Sequence, residues 1–473
     1  MKNQTTKKCG VSTIITDKIN MKKVIFASSP KWLMIAIIFN LMATSCQKEI
    51  SNTPQKQEEL SSAAFAKNGK VSSEMVLIWN EAGTQVIANM TPLTGSGPLP
   101  PMPESRIYAM INVAMHDALN NIVPKYQTYA LNNARDKDAD PDAAVAQAAH
   151  DVIVAQLPPQ QGFADSLLNT SLASIADGEA KTKGIALGKA AAAAILLKRT
   201  NDGSDNAQIP YTQGTLPGEY RSTPPFDGPP FNGFVAVPGW GNITPFCLTS
   251  GSQFRPVPPY AINSPEYTND YNDVKNLGAA VGSTRTADQT EIAIFWLENA
   301  PLSFNRIART MIATHNLDAW KSARLLALLQ LAEADANIAC FEAKFYYNYW
   351  RPITAISLGD ADGNANTVGD ASWDVLAPPT PPVPDYPSNH STNGGAGAEI
   401  LRDFFGTDNI NYSQTSSSLP GVTRNLNSFS QAALENALSR VYVGYHFRNA
   451  CMKGVDQGNK VGQYVFENYL KEN

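Results

Sequence analysis

Beyond about residue 74, apolar residues recur at intervals of three and four, the spacing that lines one face of an α-helix. The pattern predicts helices over residues 75–89, 106–122, 141–156, 180–199, 288–297, 302–316, 319–349, 393–405 and 428–442. The segments at 141–156 and 180–199 are rich in Ala, the strongest helix former. Strand-like runs are few and short, residues 234–237 being one. The chain therefore reads as mainly α, its helices gathered into bundles around their apolar stripes.

Two stretches break the periodicity. Residues 209–265 are dense in Pro, Gly and aromatics (Tyr211, Tyr220, Phe226, Phe231, Phe234, Trp240, Phe246, Phe254). An irregular stretch of that length is uncommon inside a compact domain. Its aromatics predict that it packs on the body instead of hanging as a linker. A second Pro-rich loop occupies residues 378–387. There is also a weak internal repeat. RIYAMINVAMHDA (106–118) aligns without gaps with RLLALLQLAEADA (324–336), five of thirteen positions being identical. The shared Arg and Asp favour duplication over chance, hence two related helix bundles in one body. The expected organisation is an N-terminal bundle with its Pro-rich loop over 74–265 and a C-terminal bundle over 266–473.

The first 73 residues read differently. Lys22, Lys23 and Lys31 flank a short apolar run, 32–42, that is well below the roughly 20 residues needed to span a bilayer. It ends in MATSC (42–46), a loose lipobox, so residues 1–45 are expected to be an export signal starting at Met21. Cys46 would then be lipidated, and the polar stretch 46–73 would tether the body to the lipid. Ordinary signal cleavage is the alternative. The expected location is an outer membrane or cell surface, or the periplasm or exterior without the lipid. Membrane contact is expected through that anchor only.

Charge narrows the partners. The net charge is −5, and the segment 1–45 carries 7 basic residues against 1 acidic, so the rest is more acidic still. With no basic cluster elsewhere, nucleic acid is excluded as a partner. Cys247, Cys340 and Cys451 are too widely spaced for a zinc pattern or a disulfide framework. Cys340 falls in a helical pattern and is expected in the core.

Three segments of the last third carry the unusual chemistry. In KFYYNYWRP (344–352), Lys344 and Arg351 lie about 20° apart on a helix of 3.6 residues per turn, with Pro352 expected to stop or kink it. Two cations among Phe345, Tyr346, Tyr347, Tyr349 and Trp350 need an anion nearby. In PSNHS (387–391), Ser388 and His390 precede a Gly-rich helix start at 393–397, and a helix N-terminus cradles anions. In SRVYVGYH (439–446), Arg440 and His446 would fall about 120° apart on an unbroken helix, but Gly444 permits a break that brings His446 round. Each segment alone has an ordinary reading: a solvated basic face, a Ser cap with an incidental His, and a helix-terminal Arg.

Together, K-x6-RP, PSxH and SR-x5-H occur in that order, separated by 34 and 48 residues. This resembles the signature of the vanadium-dependent haloperoxidases and type 2 phosphatidic acid phosphatases. WGNITPF (240–246), TRTADQ (284–289) and GYHFR (444–448) are similar to the soluble bacterial haloperoxidase-like branch. The resemblance covers roughly residues 75–470 and implies two four-helix bundles. It implies that Lys344, Arg351 and Arg440 bind the oxygens of vanadate or phosphate. Ser388 and the N–H of Asn389 would add hydrogen bonds, and His390 would act as general acid/base. His446 would ligate vanadium or attack phosphorus.

Two departures stand out. Asn389 occupies a position usually held by Gly, and Ala450 stands four residues after His446, where the family often has Asp. Asp335 is a candidate substitute partner for an active-site Arg. The implied activities are oxidation of a halide by hydrogen peroxide with vanadate as cofactor, or hydrolysis of a phosphomonoester through a phosphohistidine with no cofactor. The non-enzyme reading is an oxyanion-binding surface lipoprotein. Val383, seven positions before His390, matches neither residue type that the family uses there, which leaves iodide, the easiest halide to oxidise, as the default. His116, His150 and His315 sit in helical patterns and are expected to be structural.

Overall fold

The computed structural model describes residues 71–90 and 100–473. The export signal, Cys46 and most of the tether lie outside the described residues. Among the latter, thirteen α-helices and one hairpin form the body. Helices α1 (Glu74–Ala88), α2 (Pro101–Asn120), α3 (Pro141–Gln156), α4 (Gln161–Ala173) and α5 (Glu179–Lys198) come first. Then follow α6 (Pro265–Gly278), α7 (Ala287–Phe295), α8 (Ala300–Thr314), α9 (Ala319–Tyr347) and α10 (Pro352–Ser357). The last are α11 (Asn389–Phe405), α12 (Phe429–Tyr442) and α13 (Arg448–Asn468). Strands β1 (Tyr412–Thr415) and β2 (Thr423–Leu426) pair antiparallel, Tyr412 opposite Leu426. Residues 234–237, read as strand-like, form no strand; the N–H of Ala236 instead donates to the Pro382 carbonyl (2.9 Å). No described helix is long and apolar enough to cross a membrane.

Helices α1, α2, α3 and α5 form one bundle, and α9, α11, α12 and α13 the other. Helix α9 is buried along nearly its whole length because it also packs on α2. The α2–α9–α11 junction is polar as well as apolar. Asn337 donates to Ser105 Oγ (2.7 Å), and Asn393 donates to Asn337 (3.1 Å). Glu104 and Glu333 are buried there too.

The repeat found in the sequence has a structural counterpart. Asp117 on α2 accepts from the N–H groups of Tyr129, Ala130 and Leu131 (2.8, 2.6 and 2.8 Å). Asp335 on α9 accepts from those of Phe246, Cys247 and Leu248 (2.6, 2.6 and 2.8 Å). Each carboxylate satisfies three consecutive buried donors and pins a loop. Asp335 is therefore a loop anchor and not the partner of an active-site Arg.

Helix α13 escaped the periodicity because Gly454, Gly458 and Gly462 interrupt its apolar stripe, and glycine weakens a helix. Those glycines serve close approach to α11. A Cβ at Gly454 would lie 2.6 Å from the Ser388 carbonyl oxygen, and one at Gly458 would overlap that of Thr392.

The long loop lies across the body, as its aromatics required. It touches the two segments that hold the cations. The N–H of Tyr220 donates to the Asn348 carbonyl (2.8 Å) and that of Trp350 to Gly218 (2.9 Å). The Tyr386 and Tyr349 hydroxyls donate to Val257 (2.6 Å) and Tyr260 (3.0 Å).

Two stability measurements follow. Gly458→Ala forces backbone apart and is expected to cost about 1–3 kcal/mol in denaturant unfolding. Burial pushes the Glu104 carboxyl up to about 7. Because the folded state then binds the extra proton, stability falls as pH rises from about 4.5 to 7 and is flat above. Glu104→Gln should remove that slope, a change on the order of 3 kcal/mol between pH 5 and 8. An unchanged slope would place the titration elsewhere.

Candidate active site

Lys344 and Arg351 converge, but not along one helix. Helix α9 ends at Tyr347, Asn348 turns left-handed (φ 50°), and Arg351 is the N-cap of α10 with Pro352 in its first turn. Both cations reach the Pro-rich loop. Lys344 Nζ donates to the carbonyls of Pro384 (2.7 Å) and Asp385 (3.0 Å), and Arg351 Nε donates to that of Val383 (2.7 Å). Gly444 makes the break its sequence allowed. With φ at 90° it reverses the chain after α12, so the Arg440 carbonyl accepts from the N–H groups of Tyr445 (3.0 Å) and His446 (3.2 Å). A side chain at Gly444 would meet the Gly278 carbonyl (2.7 Å) and the Trp373 ring (3.0 Å).

The third cation, Arg440, donates to the Trp296 carbonyl (2.8 Å) and to Ser439 Oγ (2.9 Å). Helix α11 starts at Asn389, four residues before its Gly-rich stretch, with Ser388 as N-cap. The Ser388 N–H donates to the Ala450 carbonyl (2.9 Å), which ties this helix start to α13. Its hydroxyl is buried and has no hydrogen-bond partner among the protein groups. His390 Nε2 donates to the Glu298 carbonyl (2.9 Å). Lys344, Arg351, Ser388, Arg440 and His446 are all buried, while Asn389 and His390 keep partial exposure and form the open side.

The electrostatics are lopsided. Burial lowers all three cations, Lys344 to about 8 and Arg440 to about 10. Their hydrogen bonds named above go to carbonyls and a hydroxyl, all without full charge. The one carboxylate beside them is Asp385, which burial pushes up to about 7 while Arg351 and Lys344 pull it back. Burial and the Arg440 charge take His390 down to about 3. Burial with the Arg351, Lys344 and Arg440 charges holds His446 well below its usual range. Both imidazoles are thus neutral at pH 7. Such a site attracts an anion and repels a free metal cation.

Asp385 is the residue the sequence reading missed. Its Oδ1 lies 2.9 Å from His446 Nδ1. The available signal was that it is the only acid in the 378–387 loop. The carbonyls of Trp296 and Glu298 were also missed, since main-chain acceptors leave no mark in residue type. The Glu298 carboxylate secures that turn by accepting from Arg306 (2.5 Å), Ser303 (2.6 Å) and the Ser417 N–H (2.8 Å). The other motifs quoted from the sequence are structural. Arg285 donates to the carbonyls of Ala279 (3.0 Å) and Tyr442 (3.1 Å), Thr286 forms a capping box with Gln289, and Arg448 pairs with Asp273 (2.8 Å).

The remaining histidines stand apart. His116 is beside Asp117, His150 bridges Asp151 (2.7 Å) and Asp165 (2.8 Å), and His315 lies against Phe405. Cys247, Cys340 and Cys451 are free and buried.

The helical body brings three cations, a helix N-terminus and two imidazoles together. Residues 324–472 match the model of the VCPO second helical-bundle domain. The chain is 25% identical to the vanadium chloroperoxidase of Curvularia inaequalis over 80% of its own length and 79% of that protein's. It is similar to the crystal structure of the first bacterial vanadium-dependent iodoperoxidase, with a TM-score of 0.71 and 26% identity. That match covers 85% of this chain and 98% of the other. A holo-type bacterial vanadium-dependent chloroperoxidase shares the fold with a TM-score of 0.63 at 16% identity, over 78% of this chain and 92% of that one. The family model, the curated relative and the structural neighbours together support the haloperoxidase superfamily for this chain.

The lowered Lys344 predicts a proton linkage. In the anion-free protein its ammonium loses its proton above about pH 8. A bound dianion favours the charged form, so binding takes up a proton there and affinity falls as pH rises. Titration calorimetry with sulfate, whose charge is constant in that range, should show the uptake at pH 9. Lys344→Met should abolish it; uptake that persists would assign the linkage to another group.

Proposed function

We propose that this protein is a vanadate-dependent haloperoxidase that oxidises a halide with hydrogen peroxide. The observation that carries the reading is a neutral imidazole, His446, among three buried cations that lack matching anions. The donor set fits vanadate, a metal that arrives as an oxyanion. One nitrogen of His446 would be its protein ligand, and the orphaned Ser388 hydroxyl is a ready hydrogen-bond donor. Bound vanadate would supply the Lewis acid that activates peroxide.

The chain's own groups do the rest. Lys344, Arg351 and Arg440 balance the charge of the anion and hold its oxygens in fixed directions. Ser388 and the N–H of Asn389 add hydrogen bonds at the α11 N-terminus. His390, neutral and on the open side, exchanges a proton with an oxygen of the bound group. The halide assigned is iodide, in keeping with its oxidative ease and with similarity to an iodoperoxidase.

A second reading, phosphomonoester hydrolysis with His446 as nucleophile, is favoured by Asp385. That residue offers the acidic partner such a nucleophile needs. The experiment that separates the readings loads the protein with orthovanadate and follows iodide and bromide oxidation by peroxide. In parallel, the untreated protein is given p-nitrophenyl phosphate. Iodide turnover that disappears in His446→Ala is the expected result. Phosphate release without halide turnover would replace the haloperoxidase reading by the phosphatase. Vanadate binding without either turnover would leave an oxyanion-binding protein.

A further inference from the structure

A circuit of hydrogen bonds links the N-terminal bundle to His390. The imidazole Nε2 faces the Glu298 carbonyl at 2.9 Å. A carbonyl has no proton to give, so Nε2 carries one and donates it. The Glu298 carbonyl shares a peptide plane with the N–H of Asn299, so whatever holds Asn299 sets the direction of that acceptor. Asn299 is the N-cap of α8, and asparagine is among the best capping residues, yet its side chain makes no cap. It donates instead to the Glu104 carboxylate on α2. Glu104 is 2% exposed, and the Tyr108 hydroxyl, one turn on, donates to it as well. The neighbouring Ser105 accepts from Asn337 of α9 (2.7 Å), and Asn337 accepts from Asn393 of α11 (3.1 Å). The circuit thus closes on α11, the helix that carries His390. The Glu298 carboxylate fastens the turn on its other side, so Glu104 supplies the second of two anchors.

We propose that Glu104 is a positioning residue for His390: by holding the Asn299 side chain it fixes the peptide plane whose carbonyl orients the imidazole. The N-terminal bundle thereby sets the aim of a group it does not carry. The inference rests on the proton-transfer role given to His390 above, but its first test does not.

The chain has five histidines, so selective 15N-histidine labelling gives a tractable two-bond 1H–15N spectrum of the metal-free protein. His390 is assigned by its loss in His390→Gln. Two other histidines are built-in controls, His116 on the helix of Glu104 and His315 at the far end of α8. The expected wild-type His390 pattern has the proton on Nε2. In Glu104→Met that signal should shift and the Nδ1–H form appear, while His116 and His315 stay in place. Glu104→Gln, which keeps an acceptor oxygen for Asn299, should retain the wild-type pattern. Asn299→Ala breaks the same bond from its other end and keeps the test intact if the Met variant fails to fold. The second test is iodide oxidation at saturating orthovanadate. The kcat is expected to fall about 10- to 100-fold in Glu104→Met and to recover most of that in Glu104→Gln. A His390 pattern unaltered in Glu104→Met and Asn299→Ala, a change shared equally by His116 and His315, or a wild-type kcat in Glu104→Met overturns the proposal. A change confined to His390 in a protein without halide turnover upholds the positioning role and sinks the haloperoxidase reading alone.

Discussion

Three cations are buried around one uncharged imidazole, and the architecture of the C-terminal bundle answers to that arrangement. Unpaired buried charge is expensive. The protein meets the cost with oriented main-chain carbonyls, those of Val383, Pro384, Asp385, Tyr445 and Trp296. Carbonyls work this way only where the backbone is held still. The 209–265 loop straps down the segments around residues 348–350 and 382–386. The Glu298 carboxylate fastens the turn that serves Arg440 and His390, and Asp335 pins the strap at Phe246, Cys247 and Leu248. These groups touch no anion, yet they set where the cations point.

The second demand is closeness between α11 and α13. The oxyanion cradle needs the first turn of α11 to sit against the chain that follows His446, and the bond from the Ser388 N–H to Ala450 is where they meet. Glycines on α13 remove the side chains that would hold the helices apart. A stripe that weakens the helix in isolation thus builds the site in the fold. Helix α9 adds the third wall and belongs to both bundles, so the N-terminal half supports the chemistry without contributing a group to it.

Much of this was legible in the residues. Helical periodicity located the long helices of both bundles except α13, and the Arg…Asp repeat pointed to duplication. The aromatic content of the 209–265 loop foretold that it packs. The three motifs named groups that do converge. The route was legible only in part. Lys344 and Arg351 were expected on one helical face; they meet through the left-handed Asn348 and an extended step to Arg351, because both follow the carbonyls of the Pro-rich loop. Helix α13 was missed because its glycines count against a helix until a partner helix is present.

Residue types and local spacing determined the chemistry on offer: two imidazoles, three basic side chains, a helix N-terminus, and a glycine where the chain must reverse. Those follow from neighbours within a few positions, where sterics and periodicity operate. Only the tertiary structure decided that Asp385 lies beside His446 and that Asp335 serves a loop. Each depends on a distance of about 3 Å between segments tens of residues apart in the chain. Hydrogen bonds act over such distances alone, and no local pattern encodes them.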